Sequence, residues 1–133
     1  MNNAGELTKF IGFSELMALK ENTRGEEGKF FRDMIKNLKS TIANMPKTYE
    51  TYGMGDDAPV TLHYFKGGSD WYIIEKDSED EQLQAFGFAC LNDDKQNAEL
   101  GYINIEELLK HGVELDLYYQ PETLGSLLKR YRK

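Results

Sequence analysis

The stretch Val60-Thr61-Leu62-His63-Tyr64-Phe65-Lys66-Gly67-Gly68-Ser69-Asp70-Trp71-Tyr72-Ile73-Ile74-Glu75 decides the fold. Two runs rich in β-branched and aromatic residues flank Lys66-Gly67-Gly68-Ser69, and paired glycines supply the backbone freedom a tight hairpin needs. Strand, turn and returning strand are expected. Further along, the acidic loop Asp77-Ser78-Glu79-Asp80-Glu81 leads to a third strand from Gln82 to Leu91. A polar turn, Asn92-Asp93-Asp94-Lys95-Gln96-Asn97, precedes a short fourth strand, Glu99-Leu100-Gly101-Tyr102-Ile103. Asn104 with Glu107 has the spacing of a helix cap, and Gly112 closes the short helix that follows. Val113-Glu114-Leu115-Asp116-Leu117-Tyr118-Tyr119 then alternates, with Val113, Leu115 and Leu117 on one face. Pro121 opens a last helix carrying Leu124, Leu127, Leu128 and Tyr131 at helical spacing.

Upstream of Val60 the period is helical. Ser14 is placed to cap a short helix over Glu15 to Glu21, and Thr23-Arg24-Gly25-Glu26 has the form of a capping box. The helix after it is expected from about Arg24 to Asn44, ending before Pro46. Phe31, Met34, Ile35, Leu38, Ile42 and Met45 share one of its faces, and Lys29, Arg32, Lys36 and Lys39 form a separate basic stripe. The expected class is α+β. An antiparallel sheet of about five strands carries two N-terminal helices, one short helix before the last strand, and one C-terminal helix. At 133 residues the chain reads as a single domain, 1–133, with a helical segment 1–45 and an α+β core over 46–126.

Composition excludes several classes of function. Aromatics at 12% and hydrophobics at 40% support a packed core, and the net charge of -7 disfavours generic coating of nucleic acid. The acidity is one-sided: from residue 70 to 122, fourteen carboxylates face only Lys76, Lys95 and Lys110. The tail reverses sign at Lys129, Arg130, Arg132 and Lys133. Cys90 is the single cysteine, so no intrachain disulfide forms, and its apolar neighbours Phe86, Phe88 and Leu91 mark it as a buried small hydrophobe. Met1-Asn2-Asn3-Ala4-Gly5-Glu6 lacks a basic region followed by an apolar run, and the longest apolar stretch is too short to span a bilayer. A soluble, cytoplasmic protein with no membrane partner is expected.

Few residues of the chain fall in patterns that carry chemistry. One cysteine and two histidines give no zinc pattern, and no phosphate-binding glycine loop or serine nucleophile elbow is present. Glu107 and His111 stand four apart on a short helix and read as an exposed ion pair. His63 is expected to pair with a carboxylate across the hairpin; an acid–base reading needs Asp70 or Glu75 to converge with it in a pocket. The density of Asp77, Glu79, Asp80 and Glu81 suggests calcium, but the order of an EF-hand loop is absent. No catalytic residue, metal or cofactor is assigned, and the chain is expected not to be an enzyme. Two surface features remain: the acidic body and the basic stripe Lys29, Arg32, Lys36, Lys39. Clustered carboxylates can present the charge of a phosphate row to a basic partner.

A set of short segments carries a resemblance. These are Pro46-Lys47-Thr48-Tyr49-Glu50; His63-Tyr64-Phe65 with Gly67, Gly68 and Asp70-Trp71-Tyr72; Glu75 and Asp77; and Phe86-Gly87. They continue with Ala98-Glu99-Leu100-Gly101-Tyr102, Glu107-Leu108, Glu114-Leu115-Asp116-Leu117-Tyr118 and Pro121. Together, from 46 to 124, they resemble an uncharacterised small-domain family of conjugative plasmids, integrative elements and phages, often encoded near antirestriction genes. At least one relative in that setting is similar to the anti-CRISPR proteins that inhibit type II-A RNA-guided DNA nucleases. The family has no established catalytic residues to carry over. The resemblance implies a non-enzymatic inhibitor that acts in a bacterial host cell by binding a type II CRISPR nuclease and blocking DNA loading or cleavage. Its partner contacts are expected at Asp77, Glu79, Asp80, Glu81, Asp93 and Asp94. The alternative is a protein- or nucleic-acid-binding module of a mobile element, with another antirestriction or regulatory role, gripping nucleic acid through the basic stripe. Exposed strand edges leave pairing between two copies open.

Overall fold

The computed structural model describes residues 7–79 and 81–132. Asp80 and Lys133, both singled out above, lie outside them. The chain forms α1 (Phe13–Asn22), α2 (Gly28–Asn44), β1 (Pro59–Val60), β2 (Leu62–Lys66), β3 (Ser69–Glu75), β4 (Ala85–Cys90) and β5 (Glu99–Ile103). It continues through α3 (Ile105–Lys110), β6 (Glu114–Leu115), β7 (Glu122–Thr123) and α4 (Leu124–Tyr131). The fold is α+β. Five strands make an antiparallel sheet in the order β5-β4-β3-β2-β6, and β1 pairs with β7 in a separate two-stranded sheet.

The hairpin Leu62–Glu75 forms as its sequence dictates. Lys66 pairs with Ser69 across Gly67-Gly68, and Gly67 takes a φ of 56°, which a glycine adopts without steric cost. Side chains then alternate between two cores. Leu62, Tyr64, Ile73, Ala85, Ile103 and Leu115 join Leu16, Leu19, Ile42 and Met45 of the N-terminal segment on one face. Tyr72, Ile74 and Phe88 join Val60, Leu124, Leu127 and Leu128 on the other. Each sheet face is thus covered by helix, with α1, α2 and α3 on the first and α4 on the second. Tyr64 is fully buried, and its hydroxyl donates to the Phe10 carbonyl, which ties the N-terminal segment to the sheet. β3 and β4 lie close at Gly87, where a Cβ would stand 1.9 Å from the Tyr72 carbonyl oxygen, and a β-bulge follows between Ile73 and Glu75.

The apolar face of α2 packs as its periodicity predicts, with Phe31, Met34, Ile35 and Leu38 against the first core and Ile42 and Met45 inside it. Its start differs. The helix begins at Gly28 rather than near Arg24, and no side chain caps it. Thr23 has αR angles as the C-terminal cap of α1, and its hydroxyl bonds the Lys20 carbonyl at 2.6 Å. An N-cap needs extended backbone, so the capping box cannot form there. Gly12, not Ser14, caps α1.

Other boundaries differ too: the third strand begins at Ala85 rather than Gln82, and Val60 leaves the first strand to pair with Glu122 in the separate two-stranded sheet. Of the alternating run after Gly112 only Glu114–Leu115 is strand, because the Asp116 carboxylate accepts the Tyr118 N–H at 3.0 Å and turns the chain. Val113, Leu115 and Leu117 still face the first core. The last helix begins at Leu124, capped by the Thr123 hydroxyl accepting from Ser126 at 3.1 Å, whereas Pro121 precedes β7. The cap at Asn104 forms as expected, its side chain accepting the Glu107 N–H at 2.9 Å. No helix among the described residues is long and apolar enough to cross a membrane.

Candidate functional site

His63 is held between two carboxylates. It leaves β2 on the second face of the sheet, where Asp70 of β3 meets its Nε2 at 2.7 Å and Asp116 meets its Nδ1 at 3.0 Å. Each ring nitrogen thus meets its own carboxylate. The ring stacks on Tyr72 at 4.5 Å between centroids. The carbonyl of His63 also accepts the Asp116 N–H at 2.8 Å, so backbone and side chain together hold the segment after β6. Glu75, the other carboxylate weighed for an acid–base role, points elsewhere. It is buried, accepts the N–H groups of Tyr49 and Thr51 at 2.9 and 3.0 Å, and bonds the Thr51 hydroxyl.

Beside the histidine lies a second network. Tyr72 and Tyr131 share a hydroxyl–hydroxyl bond of 2.9 Å, Tyr119 donates to Glu122, and Arg130 binds both Glu122 oxygens, one at 2.8 Å. The guanidinium holds the Glu122 carboxyl down at about 2, against opposing desolvation. Burial, with the Glu122 bond, pushes the Tyr119 hydroxyl above the usual phenol range. These groups join α4 to the 116–122 segment. They are saturated by one another.

A cleft of about 590 Å³ opens between α2 and the segment after β6. Phe30, Met34, Leu38, Asp33, Asp116 and Tyr118 are among the residues that line it; His63, Asp70 and Glu75 are not. The acid–base groups therefore do not converge in this cleft. Among the described residues no group of three or more His, Cys, Asp or Glu side chains is placed to hold a metal ion. The His111 ring meets the Glu107 backbone carbonyl at 2.9 Å, and the ion pair on α3 is Lys110–Glu106 at 3.0 Å. Cys90 is buried, and that burial raises its thiol, so it is a poor nucleophile.

The acidic candidates fall in two places. Asp77, Glu79 and Glu81 stand on the loop from β3 to β4, at one end of the sheet. Asp77 is used internally, since its carboxylate accepts the N–H groups of Glu79 and Gln84, each at 3.0 Å. Buried Gln82 braces the loop from inside, accepting the Asp77 N–H at 2.7 Å, while its own carbonyl accepts Ile105 N–H at 2.8 Å. Glu79 and Glu81 are left exposed. Asp93 and Asp94 stand at the opposite end, beside the Gly67-Gly68 turn, where Asp93 N–H meets the Gly68 carbonyl at 2.7 Å. Asp94 caps the turn Lys95–Asn97. The structure does not bring the two groups together. It places one at each end of β5, because the first loop meets the chain at Ile105 and the second leads into Glu99.

The basic stripe is partly spent. Lys29 pairs with Asp33 at 2.8 Å, and Arg32 donates to the Thr23 carbonyl at 2.9 Å; Lys36 is exposed and Lys39 half-buried.

Sequence reasoning missed an exposed aromatic group at the sheet edge. Tyr49 is 71% and Tyr102 61% exposed, their side chains hydrogen-bond one another, and Phe86 meets the Tyr102 ring edge-on at 5.9 Å. Tyr49 has a φ of 68°, a conformation held by Glu75 accepting its N–H. A signal was present: Leu100 and Tyr102 stand two apart in a strand and so share a face. Comparison with family models, curated proteins and solved structures finds no match to this chain.

Proposed function

We propose that the protein is a non-enzymatic inhibitor that binds a type II-A RNA-guided DNA nuclease and blocks DNA loading or cleavage, in the cytoplasm of a bacterial host. The observation that carries the reading is the surface charge of residues 70–122. Glu79, Glu81, Asp93, Asp94, Glu99, Glu107 and Glu114 are all exposed. Of the three cations in that span, Lys76 is buried with its ammonium on the Ile42 carbonyl, and Lys110 is paired with Glu106. Nucleases of this class hold nucleic acid in positively charged channels and read a flanking motif with arginines. An acidic surface competes for such a channel through long-range attraction. The resemblance to the mobile-element family supports the choice of partner. The alternative, a nucleic-acid grip through α2, is weaker because Lys29 and Arg32 are engaged within the chain.

The test is a cleavage assay with a guide-loaded type II-A nuclease, adding the protein before or after target DNA, with a gel shift for the complex. Inhibition only on addition before DNA is the expected result. Reversing Glu79, Asp80 and Glu81 to lysine weakens binding and its salt sensitivity. Absence of both inhibition and comigration overturns the proposal.

A further inference from the structure

The free edge of the sheet is built to accept a strand. β5 is terminal in the order β5-β4-β3-β2-β6, so one side of Glu99–Ile103 presents unpaired backbone N–H and C=O groups. The edge is only lightly blunted: the strand is five residues long and holds no proline and no lysine, and its one charge, the exposed Glu99, stands at its first residue and repels acidic segments rather than basic ones. Leu100 and Tyr102 project from it into solvent, with Tyr49 against Tyr102. Anionic groups stand at both ends: Asp93 and Asp94 precede Glu99, and the loop bearing Glu79 and Glu81 meets the chain at Ile105. Lys95, on the first of these turns, is the cation nearest in sequence.

We propose that β5 binds an extended, basic segment of a partner protein by strand addition, with its central residues packing over Leu100 and Tyr102 and its lysines or arginines meeting the acidic ends. Main-chain hydrogen bonds supply affinity in this mode, and alternate side chains supply specificity. Charge decides the occupant. A second copy paired antiparallel would set Asp93 and Asp94 of one molecule against Glu79 and Glu81 of the other. Paired parallel, it would set each acidic end against its own image. Both arrangements repel, whereas a basic segment is attracted at each end. The proposal rests on the inhibitor reading for the nuclease as partner; the position and mode of binding rest on the sheet alone.

The experiment follows backbone amide exchange by NMR in the full chain. The probes are a short peptide alternating lysine and valine, and its counterpart alternating glutamate and valine. The lysine peptide is expected to slow exchange of alternate amides across Glu99–Ile103, and the glutamate peptide to leave them unchanged. The double variant Leu100→Lys, Tyr102→Lys is expected to bind the lysine peptide about tenfold more weakly while remaining folded, its unfolding midpoint lowered only slightly by loss of the Tyr102 contacts with Tyr49 and Phe86. A second variant, Glu79→Gln, Glu81→Gln, Asp93→Asn, leaves the strand intact and should weaken binding and flatten its salt dependence. Equal binding of both peptides, protection elsewhere than β5, or protection that grows with protein concentration alone overturns the proposal; the last would identify a second copy as occupant. The guide-loaded nuclease separates the two readings. Peptide binding at β5 without nuclease binding sinks the inhibitor and upholds the site. Nuclease inhibition that survives the double variant, with β5 amides still exchanging, sinks the site and upholds the inhibitor.

Discussion

The two edges of the five-stranded sheet are finished in opposite ways. At the β6 edge the strand is two residues long, and the Leu115 N–H that points away from β2 is taken by the Glu15 carboxylate at 2.9 Å. Asp116 then folds back onto His63 and ends the ladder. At the β5 edge five residues run with their outer backbone groups unpaired to any strand, beneath exposed Leu100 and Tyr102. A short, side-chain-capped edge refuses further strands; a long bare one invites them. The contrast separates a place where polar side chains complete the fold from a place where they are left to a partner.

The contrast is sharpest in a matched pair of substitutions. Leu115→Lys puts an ammonium into the first core, where Leu115 is 2% exposed, and is expected to cost about 4 kcal/mol or prevent folding. Circular dichroism and urea denaturation would register it. Next in size is His63→Ala, which leaves Asp70 and Asp116 facing each other without their bridge. A loss of about 2 kcal/mol is expected, with faster exchange of amides across 114–119. Stability unchanged by that substitution would break the account of the closed edge.

Smaller effects appear through pH. Arg130 depresses the Glu122 carboxyl to about 2, so this pair stabilises the fold above the ordinary carboxyl range and ceases to do so as pH falls from about 4.5 to 2. Arg130→Ala is expected to cost about 1 kcal/mol at neutral pH and nothing at the bottom of that window, as acid titrations of stability would show. Glu15 has the opposite sign. Burial raises its carboxyl, with Glu114 and Asp116 adding to it, so its contribution is fully present below its ordinary value and declines as pH rises through the raised one. Glu15→Gln keeps the acceptor for Leu115 without the charge. It should match the parent in acid and exceed it at neutral pH. Leu100→Lys, at the open edge, is expected to change stability by less than about 0.5 kcal/mol, since Leu100 is 43% exposed. A loss there comparable to Leu115→Lys would abolish the distinction between the edges.

What the chain discloses before folding is its local order. The hairpin around Gly67-Gly68, the apolar face of α2 and the cap at Asn104 follow from residues close in sequence, and all three form. Thr23-Arg24-Gly25-Glu26 misleads because Thr23 is already committed to closing α1, with Arg32 drawn onto its carbonyl from nine residues away. The acidic residues were visible, but not their division between the ends of β5, which depends on a strand order that local pattern does not encode. His63 was expected to find a carboxylate across the hairpin and does so in Asp70; Asp116, fifty-three residues on, is invisible to any local rule. The openness of β5 is likewise a property of the whole sheet.

The pairing of Tyr64 with Leu115 also sets an order of events during synthesis. The hairpin of β2 and β3 can form as soon as both strands have emerged, and β4 and β5 can extend it on one side. On its other side β2 must wait until Leu115 is made, a delay of roughly 2–8 seconds at ordinary elongation rates. Over that interval the nascent sheet has two bare margins instead of one. Closure by the late segment therefore acts as a ratchet on the growing chain, leaving only the β5 margin for whatever arrives after release.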